Sequence, residues 1–298
     1  MQYSYYPGCS LEGTAKEYDA ATRAFLTAMG NELEELPDWT CCGATAAGAI
    51  SRLLALALPA RNLALGEKTA PGRDILVPCS ACYLNLKRVE QALIHDPHLV
   101  SEINAVLAAE QLQLKHSGTV RHLLDVLVND MGPQSLAARV VRPLTGIVVA
   151  PYYGCQCLRP YPVFDDPESP TSMEALLRAA GADILDWSMG PKCCGASNVS
   201  TKPAAGLELT AAILSAARPA DVIATVCPMC QMNLEAFQRK ISNKKHIDLA
   251  VSVLYLPQLL GLAIGLDTEA VGTNLNLALT GRFKAKLRDC RPDVAAVQ

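Results

Sequence analysis

Ten of the chain's twelve cysteines fall into two groups of one design. Cys9, the adjacent pair Cys41-Cys42 and the CxxC of Cys79 and Cys82 form the first; Cys155, the pair Cys193-Cys194 and the CxxC of Cys227 and Cys230 form the second. Cys157 and Cys290 stand outside that pattern. Thiolates serve as nucleophiles, redox groups and soft metal ligands, so spacing and surroundings decide which chemistry applies. Disulfide-dense chains are usually small and secreted. This one has 298 residues, half of them apolar, and its first residues, MQYSYYPGCS, hold neither a basic nor an apolar leader segment. Reduced thiols bound to metal in a cytoplasmic protein are the expectation.

A CxxC motif by itself serves zinc ribbons, redox pairs and iron–sulfur proteins alike. Zinc favours closed four-ligand sites, commonly built from two CxxC motifs, and each group here has one. The adjacent Cys-Cys pair separates the alternatives. Neighbouring side chains diverge, so two of them rarely grip one compact ion, although Gly43 and Gly195 directly after the pairs give the backbone extra freedom. Diverging thiolates suit different irons of a cluster, and a fifth cysteine makes each set too large for one zinc ion. Ligand count and softness therefore favour iron–sulfur over zinc.

The elements that must position these cysteines also come twice. Asp74-Ile-Leu-Val-Pro-Cys-Ser-Ala-Cys-Tyr-Leu-Asn-Leu86 is matched by Asp221-Val-Ile-Ala-Thr-Val-Cys-Pro-Met-Cys-Gln-Met-Asn-Leu234. Tyr-Pro-Gly-Cys9 is matched by Tyr-Tyr-Gly-Cys155, Cys41-Cys42-Gly-Ala44 by Cys193-Cys194-Gly-Ala196, and the stretch from Val120 by that from Val253. The chain is a tandem duplication, with residues 1–145 and 146–298 expected as its two domains.

Strands are expected at 2–6 and 146–152, then helices from Ala20 to Met29 and from Met173 to Ala180, closed by Gly30 and Gly181. A second strand leads toward each Cys-Cys-Gly. Long Ala/Leu-rich helices follow around 46–66 and 204–217, and further strands at 74–78 and 221–226. Strands alternating with helices give an α/β fold with parallel-sheet layers, two pseudo-symmetric repeat domains, and cysteine loops at the carboxyl ends of strands.

Composition excludes some function classes. A net charge of −3 and 5% aromatic residues offer no electrostatic or stacking basis for nucleic-acid binding. Leu249 to Leu266 runs eighteen residues without a charge, near the length of a membrane span, but it contains Pro257 and two glycines. It reads as a buried strand followed by a buried helix. No dinucleotide fingerprint or phosphate loop occurs, so electrons must come from a partner. His95, His98, His116, His122 and His246 lack ligand spacing and read as packing or solvated residues. Asn85 and Asn233 recur after each CxxC, as helix-start residues or as hydrogen-bond donors to backbone or cluster sulfur. Lys192 precedes the second Cys-Cys as an exposed cation or as a counter-charge to a reduced cluster. Cys290 reads as a packing or surface thiol in a basic tail.

Two ordered copies of Cys, Cys-Cys-Gly and CxxC resemble the cysteine-rich CCG domains found in the B subunit of heterodisulfide reductase. The elements are separated by 31 and 36 residues in the first copy and by 37 and 32 in the second. Arg159-Pro160 and Phe164-Asp-Asp-Pro167 also look like that protein, and the Cys-Cys-Gly-Ala form looks like the bacterial kind. The resemblance implies two non-cubane [4Fe-4S] clusters. Cys9, Cys41, Cys42, Cys79 and Cys82 would hold one; Cys155, Cys193, Cys194, Cys227 and Cys230 would hold the other. Cys157 lies outside the implied sets, beside their second opening ligand. The implied activity is reduction, or reversible formation, of a disulfide held between the clusters, within a complex containing a ferredoxin-like iron–sulfur subunit and a flavin subunit. Two other readings stay open: an electron-relay subunit of a glycolate- or lactate-oxidase type enzyme, and a zinc scaffold without redox activity.

Overall fold

The computed structural model describes residues 1–44, 46–115 and 118–290; His116 and Arg291 lie outside them. Among the described residues eight strands form two four-stranded sheets, parallel throughout. In the first, β1 (Gln2–Tyr5), β2 (Glu32–Glu35), β3 (Ile75–Val77) and β4 (Val120–His122) lie in the order β2-β1-β3-β4. In the second, β5 (Val148–Tyr152), β6 (Asp183–Ile184), β7 (Val222–Thr225) and β8 (Ser252–Tyr255) repeat that order as β6-β5-β7-β8.

Burial explains the strand sequences. β3, β7 and β8 are buried along their whole length and are correspondingly apolar, because helices cover both sheet faces. β2 is mostly exposed and reads Glu-Leu-Glu-Glu, a charged edge that resists pairing with another chain. The expected helices form at Lys16–Ala28 and Ser172–Ala179, with Gly30 and Gly181 at positive φ beyond their ends. The helix expected from 46 breaks at Ser51, whose extended backbone and side-chain bond from the Leu54 N–H start a new helix, Arg52–Thr69. The uncharged run from Leu249 becomes β8 followed by the helix Leu256–Ala263. Among the described residues no helix is long and apolar enough to cross a membrane.

The two halves share a core. The helix Lys16–Ala28 packs on Leu256–Ala263, and one apolar cluster joins Tyr18, Phe25 and Leu26 to Tyr255, Leu256 and Leu259, all essentially inaccessible to solvent. Each such leucine or phenylalanine contributes roughly 1.5–3 kcal/mol by its burial. The contact repeats across the duplication. Tyr18, nine residues after Cys9, stacks on Tyr255 at the end of β8; Phe164, nine residues after Cys155, stacks on His122 at the end of β4.

The basic segment from Arg282 is a helix, Gly281–Asp289, and not merely a tail. Its Arg282 and Lys286 both reach Asp221, whose side chain is fully buried and also accepts the Val148 N–H at 2.8 Å.

Candidate iron–sulfur centres

Within each half, all five cysteines of the set follow the carboxyl ends of the first three strands, where the strand order reverses and an open parallel sheet leaves a crevice. Cys9 and Cys155 follow β1 and β5, the Cys-Cys pairs follow β2 and β6, and the CxxC motifs follow β3 and β7. Each CxxC opens a helix, Ser80–His95 or Pro228–Ala236, so its second cysteine sits in the first turn.

The same supports recur at the same offsets. Tyr6 and Tyr152, three residues before the first cysteine, each donate a 2.7 Å hydrogen bond to the carbonyl just before the Cys-Cys pair, of Thr40 and Lys192. Trp39 and Trp187 meet those tyrosine rings edge-on. Gly8 and Gly154 have φ of +69° and +71°, and a Cβ on them would come within 2.9 Å of Cys82 Sγ and 3.0 Å of Cys230 Sγ. Only glycine leaves that space for sulfur. The N–H groups of Gly43 and Gly195 donate back to Cys41 Sγ at 3.4 Å and Cys193 Sγ at 3.3 Å. Asn85 and Asn233 lie within their helices, not at the starts, and donate to the carbonyls of Cys42 and Cys194 at 3.0 and 2.8 Å. Asn85 also stands 3.9 Å from Cys42 Sγ.

In the second half, a pocket of about 50 Å³ is lined by Cys155, Cys193, Cys194, Cys227 and Cys230, with Met229 and Ala196 on its wall. In the first half, Cys9 and Cys41 lie 3.8 Å apart on an open depression of about 710 Å³ that Trp39 and Glu12 also line. Cys42, Cys79 and Cys82 are buried, with Cys42 and Cys82 sulfurs 3.3 Å apart. Neither pocket is lined by cysteines of both sets. Among the described residues no three His, Cys, Asp or Glu side chains are set to hold a single metal ion; the sulfurs lie instead as contacting neighbours.

Crowding splits the thiols' acidities. Cys82 is held well above the usual thiol range because it donates to Cys42 and Cys79; Cys230 behaves alike toward Cys194 and Cys227. Cys42 and Cys194 are lowered by accepting from them. Cys193 falls to about 6, chiefly because Cys155 donates to it, with the Gly195 N–H and the Arg159 charge assisting. Cys155 is raised correspondingly. Burial and the neighbouring Cys41 push Cys9 up to about 11. Five thiols this close cannot all ionise by themselves, and a cationic iron–sulfur core would supply the compensating charge. Donor type, glycine cradles and N–H groups aimed at sulfur all fit such a group.

Cys157 is fully buried and its sulfur turns from the pocket toward the Tyr153 carbonyl at 3.3 Å, beside Ser80 of the other half. Cys290 is buried near the Thr145 carbonyl. The Lys192 side chain is exposed. The tyrosine clamps and glycine cradles were not singled out from the sequence, although their equal offsets from Cys9 and Cys155 carried the signal.

A model of the cysteine-rich domain, CCG, matches residues 3–87 and 149–235. The chain is 33% identical over 283 residues to the 8-methylmenaquinol:fumarate reductase membrane anchor subunit of Wolinella succinogenes, covering 93% of this chain and 96% of that protein. It is 30% identical over 291 residues to the B subunit of the ferredoxin/F(420)H(2)-dependent CoB-CoM heterodisulfide reductase of Methanosarcina acetivorans, covering 95% and 96%. A crystal structure of a hypothetical protein from Helicobacter pylori superposes with a TM-score of 0.76 at 17% identity, over 94% of this chain. This chain spans about half, 52%, of that protein and nearly all of the two curated relatives.

Proposed function

Since the chain belongs to the cysteine-rich CCG-domain family and resembles the B subunit of heterodisulfide reductase, we propose that it is the iron–sulfur subunit of a disulfide-reducing complex. The observation that carries this reading is the pocket lined by all five cysteines of the second set, whose supports recur around the first. Cys9, Cys41, Cys42, Cys79 and Cys82 would hold one non-cubane [4Fe-4S] cluster, and Cys155, Cys193, Cys194, Cys227 and Cys230 the other. Bound clusters would supply one-electron chemistry and a Lewis-acidic iron for a sulfur leaving group.

The chain's own part is to hold the sulfurs and fix their protonation. The Gly43 and Gly195 N–H groups stabilise negative charge at Cys41 and Cys193. Tyr6 and Tyr152 pin the loops that carry the Cys-Cys pairs. Electrons would come from ferredoxin-like and flavin-containing subunits, and residues 1–145 and 146–298 would form the two cysteine-rich domains.

Anaerobically purified protein should contain about four irons per five-cysteine set with matching acid-labile sulfide, and should reduce a disulfide from an artificial electron donor. A colourless protein with two zinc ions and no sulfide overturns the reading. The Wolinella relative favours a second one, an electron relay serving a different oxidoreductase. Two clusters that are reduced and reoxidised without disulfide turnover would select it.

A further inference from the structure

A polar strut crosses the join between the halves. Tyr18, fully buried, sets its hydroxyl 3.1 Å from the Pro78 carbonyl and 3.2 Å from the Val226 carbonyl. Pro78 and Val226 are the residues immediately before Cys79 and Cys227, the first cysteine of each CxxC. Ser80, immediately after Cys79, places Oγ 3.1 Å from the same Val226 carbonyl and 3.2 Å from His122 Nε2. His122 Nδ1 accepts the Leu124 N–H, so the neutral ring carries its proton on Nε2 and donates to Ser80. The Ser80 proton is then directed at Val226. The single Tyr18 proton is shared between the Pro78 and Val226 carbonyls as a three-centre bond, and Ser80 donates to the Val226 carbonyl from the other side.

Stacking against Tyr255 at a centroid distance of 4.0 Å and an interplanar angle of 0° fixes the Tyr18 ring, so its hydroxyl has one place to be. The strut thus bonds the backbone of one CxxC turn to that of the other, through groups outside the two five-cysteine sets. We propose that Tyr18 and Ser80 are positioning residues that hold the two CxxC turns, and with them the two cluster sites, at one fixed separation. This rests on the two-cluster reading.

The test is the magnetic interaction between the two clusters in the intact chain, poised so that both are paramagnetic. The unaltered protein should show one sharply defined spin–spin splitting. Tyr18→Phe, which keeps the stacked ring, should broaden that splitting, and Tyr18→Phe combined with Ser80→Ala should broaden it further, at unchanged iron and sulfide content. An unchanged splitting in Tyr18→Phe with full iron overturns the inference, and so does loss of iron from that variant, since a hydroxyl that only spaces the turns holds no ligand. An unaltered chain with fewer than two clusters overturns the two-cluster reading instead.

Discussion

Around Cys155 all five sulfurs of the set border one small pocket, and around Cys9 two sulfurs face a wide open depression, although the same three cysteines of each set are buried. The loops that produce these surroundings nevertheless use the same tyrosine clamp, glycine cradle and asparagine tether. Duplication has kept what grips the sulfurs and which of them are buried, and changed the shape of the opening beside them. The charge surroundings differ too. In the second half the thiol of Cys155 and then Arg159 help lower Cys193 to about 6, while in the first half Cys82 and nearby backbone N–H groups lower Cys79 to about 7; the opening cysteines, Cys9 and Cys155, are both raised. Because thiolate ligands bind metal only after losing their protons, each set has a lowered thiol with which to begin loading at neutral pH.

The largest effect should come from removing the cradled sulfur in either half. Cys82→Ala and Cys230→Ala should each abolish one cluster and so leave about half the iron, measured with sulfide after anaerobic purification. If Cys82→Ala empties both sites while Cys230→Ala empties one, the halves load in order rather than independently, and the comparison sharpens.

Next is a difference in acid sensitivity. The end of β4 carries His122 where β8 carries Tyr255, and burial drops the His122 pKa to about 4 from its usual value near 6.5. Between those values the unfolded chain binds the proton and the folded one does not, so stability is full above about pH 6.5 and is lost as pH falls toward 4. The loss is about 3 kcal/mol. Urea midpoints of the apoprotein measured from pH 7.5 to 4.5 should fall, and His122→Gln should flatten that slope. A slope unchanged in the variant assigns the acid sensitivity to other groups.

The third contrast sets Asp221 against its counterpart Asp74. Asp221 is fully buried with two cations and a backbone N–H; Asp74 is about one-third exposed and bonds Arg121 and the Thr119 N–H. Asp221→Asn should cost about 2 kcal/mol, the value of a charged hydrogen bond, whereas Asp74→Asn should cost less than about 1 kcal/mol. Equal midpoint shifts in denaturant would erase this asymmetry. Smallest should be Cys157→Ala, with unchanged iron and a loss of about 1 kcal/mol from the vacated space. Loss of one cluster there would move Cys157 into the second set.

Much of this was legible in the sequence, for identifiable reasons. The repeat of Cys-Cys-Gly and CxxC gave the duplication, and apolar runs ending at glycine or cysteine gave the parallel strands. The uncharged run from Leu249 resolved into strand and helix because Pro257 has no N–H to donate and suits the first turn of a helix. Long-range choices were not legible. Nothing local in Tyr18 or Phe164 says that each stacks on the opposite half, since that contact depends on how two finished sheets meet. The basic segment from Arg282 looked like a tail because its partner, Asp221, lies 61 residues away and the pairing exists only once β5 and β7 are side by side. Ser51 broke a helix that Ala and Leu composition favoured, because a local side-chain bond offered the backbone a new start.

That terminal helix bears on the order in which the protein is made. Arg282 and Lys286 neutralise a carboxylate sealed at the base of the second sheet, and Arg142 donates to the carbonyl of Cys290. A nascent chain can complete β1 through β4 and their loops while the rest is still being synthesised, since domains tend to fold as units from the N-terminus. The second sheet must wait for the helix Gly281–Asp289 to be made before its buried carboxylate is neutralised. The first sheet can therefore be complete while its helix Lys16–Ala28 still lacks its cover, Leu256–Ala263, so two units copied from one design finish together although they begin in turn.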